Sequence, residues 1–144
     1  MTPAGVGRRV LAFPLDKALV GLFWLLGTLG LALVWDAEQG GRLTVRSLLL
    51  AVGLSLALGL VLDAVYFVGF VGACGQTPAM MLLGLRVLAR HGGPVGYARA
   101  LLRWVGYGAV FATLGLGLLA MVFDRDRRGL HDWIAGTRVV RSDP

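Results

Sequence analysis

Ser47 to Gly75 reads SLLLAVGLSLALGLVLDAVYFVGFVGACG, and its reading decides the fold. Apart from Tyr66 and Cys74, Asp63 is its one ionisable side chain. A run of about 18 or more apolar residues reads as a bilayer-spanning helix, because a helix satisfies its own backbone polar groups in lipid. On such a helix Ala51, Ser55, Gly59 and Asp63 recur every fourth residue and share one slowly drifting face. Small residues leading to a carboxylate predict a surface that meets another helix, with the acid held at the contact.

Composition supports the same class. Of 144 residues 57% are apolar and 15% charged, against about 45–50% and about 25% in soluble domains. Glycine, 22 residues, suits close helix contacts in lipid. The formal charge of +6 accompanies apolar runs, so membrane lipids rather than nucleic acid are the expected partners. One cysteine, Cys74, excludes a disulfide framework within the chain. Arg8 and Arg9 precede an apolar stretch as in an export signal. Asp16 and Lys17 interrupt that stretch, and it is read as retained.

The chain is expected to form a single membrane domain over 1–144: a small all-α bundle with spans near 10–35, 46–73 and 104–123. Short strands and helices are expected at the cytoplasmic interface. The first span has two starts. Ala18–Trp35 is uncharged and about long enough alone. Pro14 fits the first turn of a helix that places Asp16 at its third residue, whereas a start near Arg9 puts Pro14 inside, where it kinks. The first of these is locally more consistent. Pro78 opens a short helix after Gln76-Thr77, Arg86–Leu88 and Thr137–Val140 read as strands, and His91-Gly92-Gly93-Pro94 reads as a turn.

Charge bears on topology. If the third run crosses, each side of the membrane receives seven of the 14 Lys and Arg. If it enters and returns, the division is twelve against two, the asymmetry that the positive-inside rule favours. Its length allows a crossing, so both paths stay open, with the N-terminus cytoplasmic.

The ionisable candidates for an ion, proton or polar network are Arg9, Asp16, Asp63 and Asp132. Asp63, counted along its helix, falls near mid-bilayer, where a lone charge costs on the order of 2.5–3.5 kcal/mol and calls for a partner such as Ser55, Thr28 or Tyr66. It reads either as a cation or proton site or as an acid that fixes helix packing. Arg9 and Asp16, seven apart, share a face but cannot meet within one helix, and Arg9 is assigned Asp132 or a lipid phosphate. Arg99, Arg103, Arg125, Arg127 and Arg128 are assigned to lipid headgroups. No metal-ligand spacing, nucleophile motif or phosphate loop is present, so no metal, cofactor or enzymatic activity is expected.

Four segments resemble the bacterial RDD membrane-protein family: Arg9-Val10-Leu11-Ala12-Phe13-Pro14-Leu15-Asp16; Gly75-Gln76-Thr77-Pro78 with Leu82-Leu83-Gly84-Leu85-Arg86-Val87; Arg99-Ala100-Leu101-Leu102-Arg103; and Gly129-Leu130-His131-Asp132-Trp133-Ile134-Ala135-Gly136-Thr137-Arg138-Val139-Val140. The resemblance covers nearly the whole chain. It implies that Arg9, Asp16 and Asp132 are the family's arginine and two aspartates, with Asp16 inside the first helix. It also implies a role in the transport of unknown ligands. The chain departs from the family in carrying Ala79-Met80 where Gly-Lys is usual, in Pro14, and in Asp63, which lies outside the triad. The functional expectation is a transporter or transport subunit for a small cation or proton, acting as a homo-oligomer in the bacterial inner membrane. The alternative is a non-transporting, lipid-associated membrane protein.

Overall fold

The computed structural model describes residues 4–40, 44–113 and 128–142. In chain order it contains helix α1 (Val6–Gln39), α2 (Val45–Cys74), α3 (Pro78–Leu82), strand β1 (Leu85–Ala89), α4 (Gly96–Ala112), α5 (Leu130–Ala135) and strand β2 (Thr137–Arg141).

α1 and α2 form an antiparallel hairpin whose register follows the face read from the sequence. Thr28 Oγ1 lies 3.2 Å from Ser55 Oγ, Trp24 Nε1 donates to the Ser55 carbonyl at 2.8 Å, and Lys17 reaches Asp63. Gly59 faces the Trp24 ring, where an added Cβ would stand 3.1 Å from the indole. The most apolar 18-residue windows of α1 and α2 have mean hydropathies of 2.1 and 2.4, yet only 6% and 0% of those windows is buried. Apolar helices left bare in this way have lipid or another apolar partner as their solvent.

α1 begins at Val6, not at Pro14. A start at Pro14 or Ala18 is therefore corrected: the proline sits inside a 34-residue helix. Its missing N–H leaves one carbonyl of the previous turn without its helical partner. The tertiary contacts of Arg9 and Asp16 hold the first three turns in place despite that local cost. α2 starts one residue before its expected bound, with Thr44 and Ser47 each bonding the other's backbone N–H in a capping box.

The helix ends furthest from the α1–α2 loop are buried in a compact basal layer. Its core joins Ala4, Ala12, Val71, Ala79, Met80, Leu85, Val87, Val95, Ala100 and Val139. The two expected strands pair antiparallel, with Val87 opposite Val139 and Leu88 opposite Arg138. Gly75 ends α2 in the left-handed region, at φ 72°, and its carbonyl accepts the Val87 N–H at 2.7 Å. A Cβ there would meet the Val87 carbonyl oxygen at 2.6 Å, so only glycine lets the ribbon close under the helix.

The Ala4 N–H reaches the Val139 carbonyl at 3.1 Å, which brings the start of α1, the end of α2 and both strands to one end of the hairpin. α4 leaves that layer, and α5 returns to it so closely that a Cβ on Gly106 would lie 2.8 Å from the His131 Cα. The third apolar run, Trp104–Phe123, is helical through Ala112; from residue 114 onward it lies, with Arg125 and Arg127, outside the described residues.

Candidate functional site: three acids at the base of the helix hairpin

Asp132 is the best-enclosed acid. Gly129-Leu130-His131-Asp132 places it at the third residue of α5, from which Oδ2 accepts the Gly129 N–H at 3.1 Å, half of a capping box. The same oxygen receives Arg9 Nη1 at 3.2 Å, and Oδ1 receives Arg103 Nη1. Thr137 Oγ1 lies 3.3 Å from Oδ1 and also accepts from Arg103 Nη1 at 3.1 Å. Arg9 Nη2 donates to the Val139 carbonyl at 2.7 Å. One carboxylate thus ties α1, α4, α5 and β2 together. Fully buried, it avoids a desolvation penalty of several kcal/mol only because each oxygen is bonded to a charged donor.

The assignment of Arg9 to Asp132 holds. The assignment of Arg103 to a lipid headgroup does not: it is 3% exposed, turned inward against α5. The Arg99–Arg103 spacing defines a face of α4, but which way that face points depends on where α5 docks. Arg99 is half-buried and its Nη2 lies 3.2 Å from His91 Nε2; Arg128 is half-buried.

His131 completes this cluster. Its ring stacks on Tyr107 with centroids 4.5 Å apart, and its Nε2 lies 3.6 Å from Asp132 Oδ2. Burial, then the positive charges of Arg103 and Arg9, push its pKa well below the ordinary histidine value. The imidazole is neutral at physiological pH, and Arg9, Arg103 and Asp132 together carry one net positive charge.

Asp16, equally buried, has neutral donors. Tyr66 Oη donates to Oδ1 at 2.7 Å, Thr77 Oγ1 to Oδ2 at 2.5 Å, and the Ala79 N–H to Oδ1 at 3.2 Å. Thr77 also caps α3 by accepting the Met80 N–H at 3.3 Å. The acid therefore occupies the mouth of a proline-started helix and fastens α1 to α2 and α3. The Thr-Pro pair works through a hydroxyl and backbone amides. Met80, at the position where the resemblance leads one to expect lysine, is buried in the apolar core.

Asp63 is different. Its partners are not Ser55, Thr28 or Tyr66, which is a correction with a simple cause: the antiparallel register puts Ser55 beside Thr28 and hands Tyr66 to Asp16. Lys17 Nζ meets Oδ1 at 2.6 Å and Trp104 Nε1 meets Oδ2 at 2.9 Å. Lys17 also lies 4.8 Å from the Phe67 ring centroid and 5.4 Å from that of Phe13, within cation–π range. The Lys17 and Asp63 side chains are 32% and 19% exposed, unlike the closed pockets of Asp16 and Asp132. The bare helix above the pair, Ala18–Trp35, is about 27 Å long, close to a bilayer core of about 30 Å. Asp63 therefore sits at the floor of the apolar hairpin rather than at its middle.

The structure brings Arg9 and Asp132 together and keeps Asp16 and Asp63 in separate pockets, bridged by rings: Phe13 and Phe67 lie 5.6 and 5.8 Å from Tyr107. Sequence reasoning assigned no site role to Lys17, Tyr107 or Thr137, although Thr137 lies in the last of the four segments quoted above. The adjacency of Lys17 to Asp16 is the one signal that could have singled it out.

The model of the RDD family matches residues 3–136. Over 68 residues the chain is 37% identical to the uncharacterized protein YckC of Bacillus subtilis (strain 168); that match covers 44% of this chain and 45% of YckC. No solved structure matches.

Proposed function

The chain belongs to the RDD family, and on that premise we propose that it is a non-enzymatic transport subunit for a small cation or proton, with Asp63 as the exchanging carboxylate. The observation that carries this reading is the Lys17–Asp63 pair, 2.6 Å long and partly open at the floor of the apolar hairpin. Asp16 and Asp132 have donors on both oxygens and are closed, so their role is to hold the layer that positions the pair. The Lys17 ammonium occupies the place a cation would take. A cation binds Asp63 when Lys17 swings away.

The protein is multi-pass in the bacterial inner membrane, with the basal layer and the N-terminus in the cytoplasm. With both ends of the third run on the basal side, twelve of the 14 Lys and Arg gather there, the asymmetry that the positive-inside rule favours. The third apolar run enters and leaves from the basal side, a path supported by the contact between Gly106 and His131. One hairpin encloses no pathway, so the working form is a homo-oligomer. The apolar groove of Val20, Phe23, Leu62, Val65, Gly69 and Phe70 supplies a surface for a second copy.

Flux into reconstituted vesicles tests the proposal. Wild-type protein should carry a monovalent cation or protons, and Asp63→Asn should abolish that flux while the protein stays folded. No flux across a broad ion panel, or undiminished flux in Asp63→Asn, sinks it. The second reading, a lipid-associated protein that does not transport, is favoured by the closed pockets of Asp16 and Asp132, and an inert but well-folded protein is its expected result.

A further inference from the structure

The outer face of the β1–β2 ribbon has no role in the network above. Strand alternation buries Leu85, Val87 and Ala89 and turns Arg86, Leu88 and Arg90 outward, with Arg138 opposite Leu88 on the same face. The ribbon runs into the turn His91-Gly92. There Arg99 Nη2, arriving from α4, lies 3.2 Å from His91 Nε2. From the other side, Arg138 Nη2 lies 3.7 Å from the position a Cβ would take on Gly92. Two guanidinium groups thus flank one two-residue turn, with Arg90 preceding it in the chain.

Among the described residues nothing acidic answers them. Among the described residues the carboxylates are Asp16, Asp36, Glu38, Asp63 and Asp132. Three are held inside the fold, and Asp36 and Glu38 stand at the far end of α1. No ion pair among the described residues includes Arg90, Arg99 or Arg138.

We propose that Arg90, His91, Arg99 and Arg138 form a binding site for a phosphate group. A guanidinium presents a planar fork of donors that matches phosphate oxygens. Two forks converging on a turn without a carboxylate favour a ligand that brings the missing negative charge. His91, accepting from Arg99 in its neutral form, orients that fork. The phosphate belongs either to an anionic lipid headgroup or to a soluble phosphate compound.

The test uses the full chain in neutral detergent, titrated in one arm with phosphatidylglycerol and in the other with inorganic pyrophosphate. Phosphatidylcholine serves as the uncharged comparison, and bound species are counted by native mass spectrometry. At least one anionic probe should bind, and the double variant R99Q/R138Q should weaken it tenfold or more, with R46Q at the opposite end unchanged. Binding of phosphatidylglycerol alone identifies the lipid as the source, and binding of pyrophosphate alone identifies a soluble ligand. The proposal is overturned if neither probe binds, or if R99Q/R138Q, shown folded by an unchanged thermal melt, binds as wild type does. The variants keep Arg9, Arg103 and Asp132, so the basal layer stays intact.

Discussion

Arg9 Nη1 and Asp132 Oδ2 meet at 3.2 Å across 123 positions of sequence, and both side chains are buried. Arg103 binds the other oxygen of the same carboxylate, so a single acid neutralises charge from the first and fourth helices at once. Remove the acid and two buried guanidinium groups lose their counter-charge.

Asp132→Asn should therefore destabilise the protein strongly. Breaking a buried pair by removing one partner costs about 3–5 kcal/mol, because the remaining charge stays buried. Denaturant unfolding in detergent measures it, with Arg46→Gln as an exposed reference. A loss below about 1 kcal/mol, within the range of exposed pairs, would show that Asp132 does not hold the layer.

His131 makes stability depend on pH. Its folded pKa is depressed, so the native protein keeps it neutral while the unfolded chain takes up a proton below about pH 6.5. Between those two values the unfolded state binds more protons, and stability rises with pH. The contribution is complete above about pH 6.5 and is lost as pH falls below it, by about 1.4 kcal/mol per unit for one proton. Unfolding midpoints at pH 7.5 and 5.5, compared between wild type and His131→Gln, check this. An equally steep fall in the variant would assign the dependence to other groups.

Two glycines on α4 should respond in opposite ways. A Cβ on Gly106 meets backbone of His131 at 2.8 Å, whereas one on Gly108 meets nothing within 4 Å. Gly106→Ala forces α5 away and should cost about 1–3 kcal/mol, as overpacking does. Gly108→Ala only gains helix propensity, up to about 1 kcal/mol. Thermal melts of the two variants decide it, and a neutral Gly106→Ala would mean that the α4–α5 contact is loose.

How much of this was legible beforehand varies by element. Pro78 announces α3 because a fixed φ and a missing N–H suit a first turn, and Thr77 caps it for the same local reason. The strands Leu85–Ala89 and Thr137–Arg141 were recognisable from short β-prone runs beside glycine turns. Pro14 misled, since local cost argued for a helix starting there while distant contacts of Arg9 and Asp16 outweigh it. Arg103 misled for a related reason. A four-residue spacing identifies a shared face, but only the docking of α5 makes that face an interior.

By itself the sequence determined the class, the two long apolar helices and the small-residue face from Ala51 to Asp63. Hydropathy, length and the 3.6-residue period are local quantities that any bilayer reads in the same way. Tertiary structure alone decided the partners: Lys17 and Trp104 for Asp63, Tyr66 and Thr77 for Asp16, Arg9 and Arg103 for Asp132. An ion pair forms where helix register and docking bring two charges within about 4 Å, and that distance belongs to the packed fold, not to either residue's neighbours in the chain.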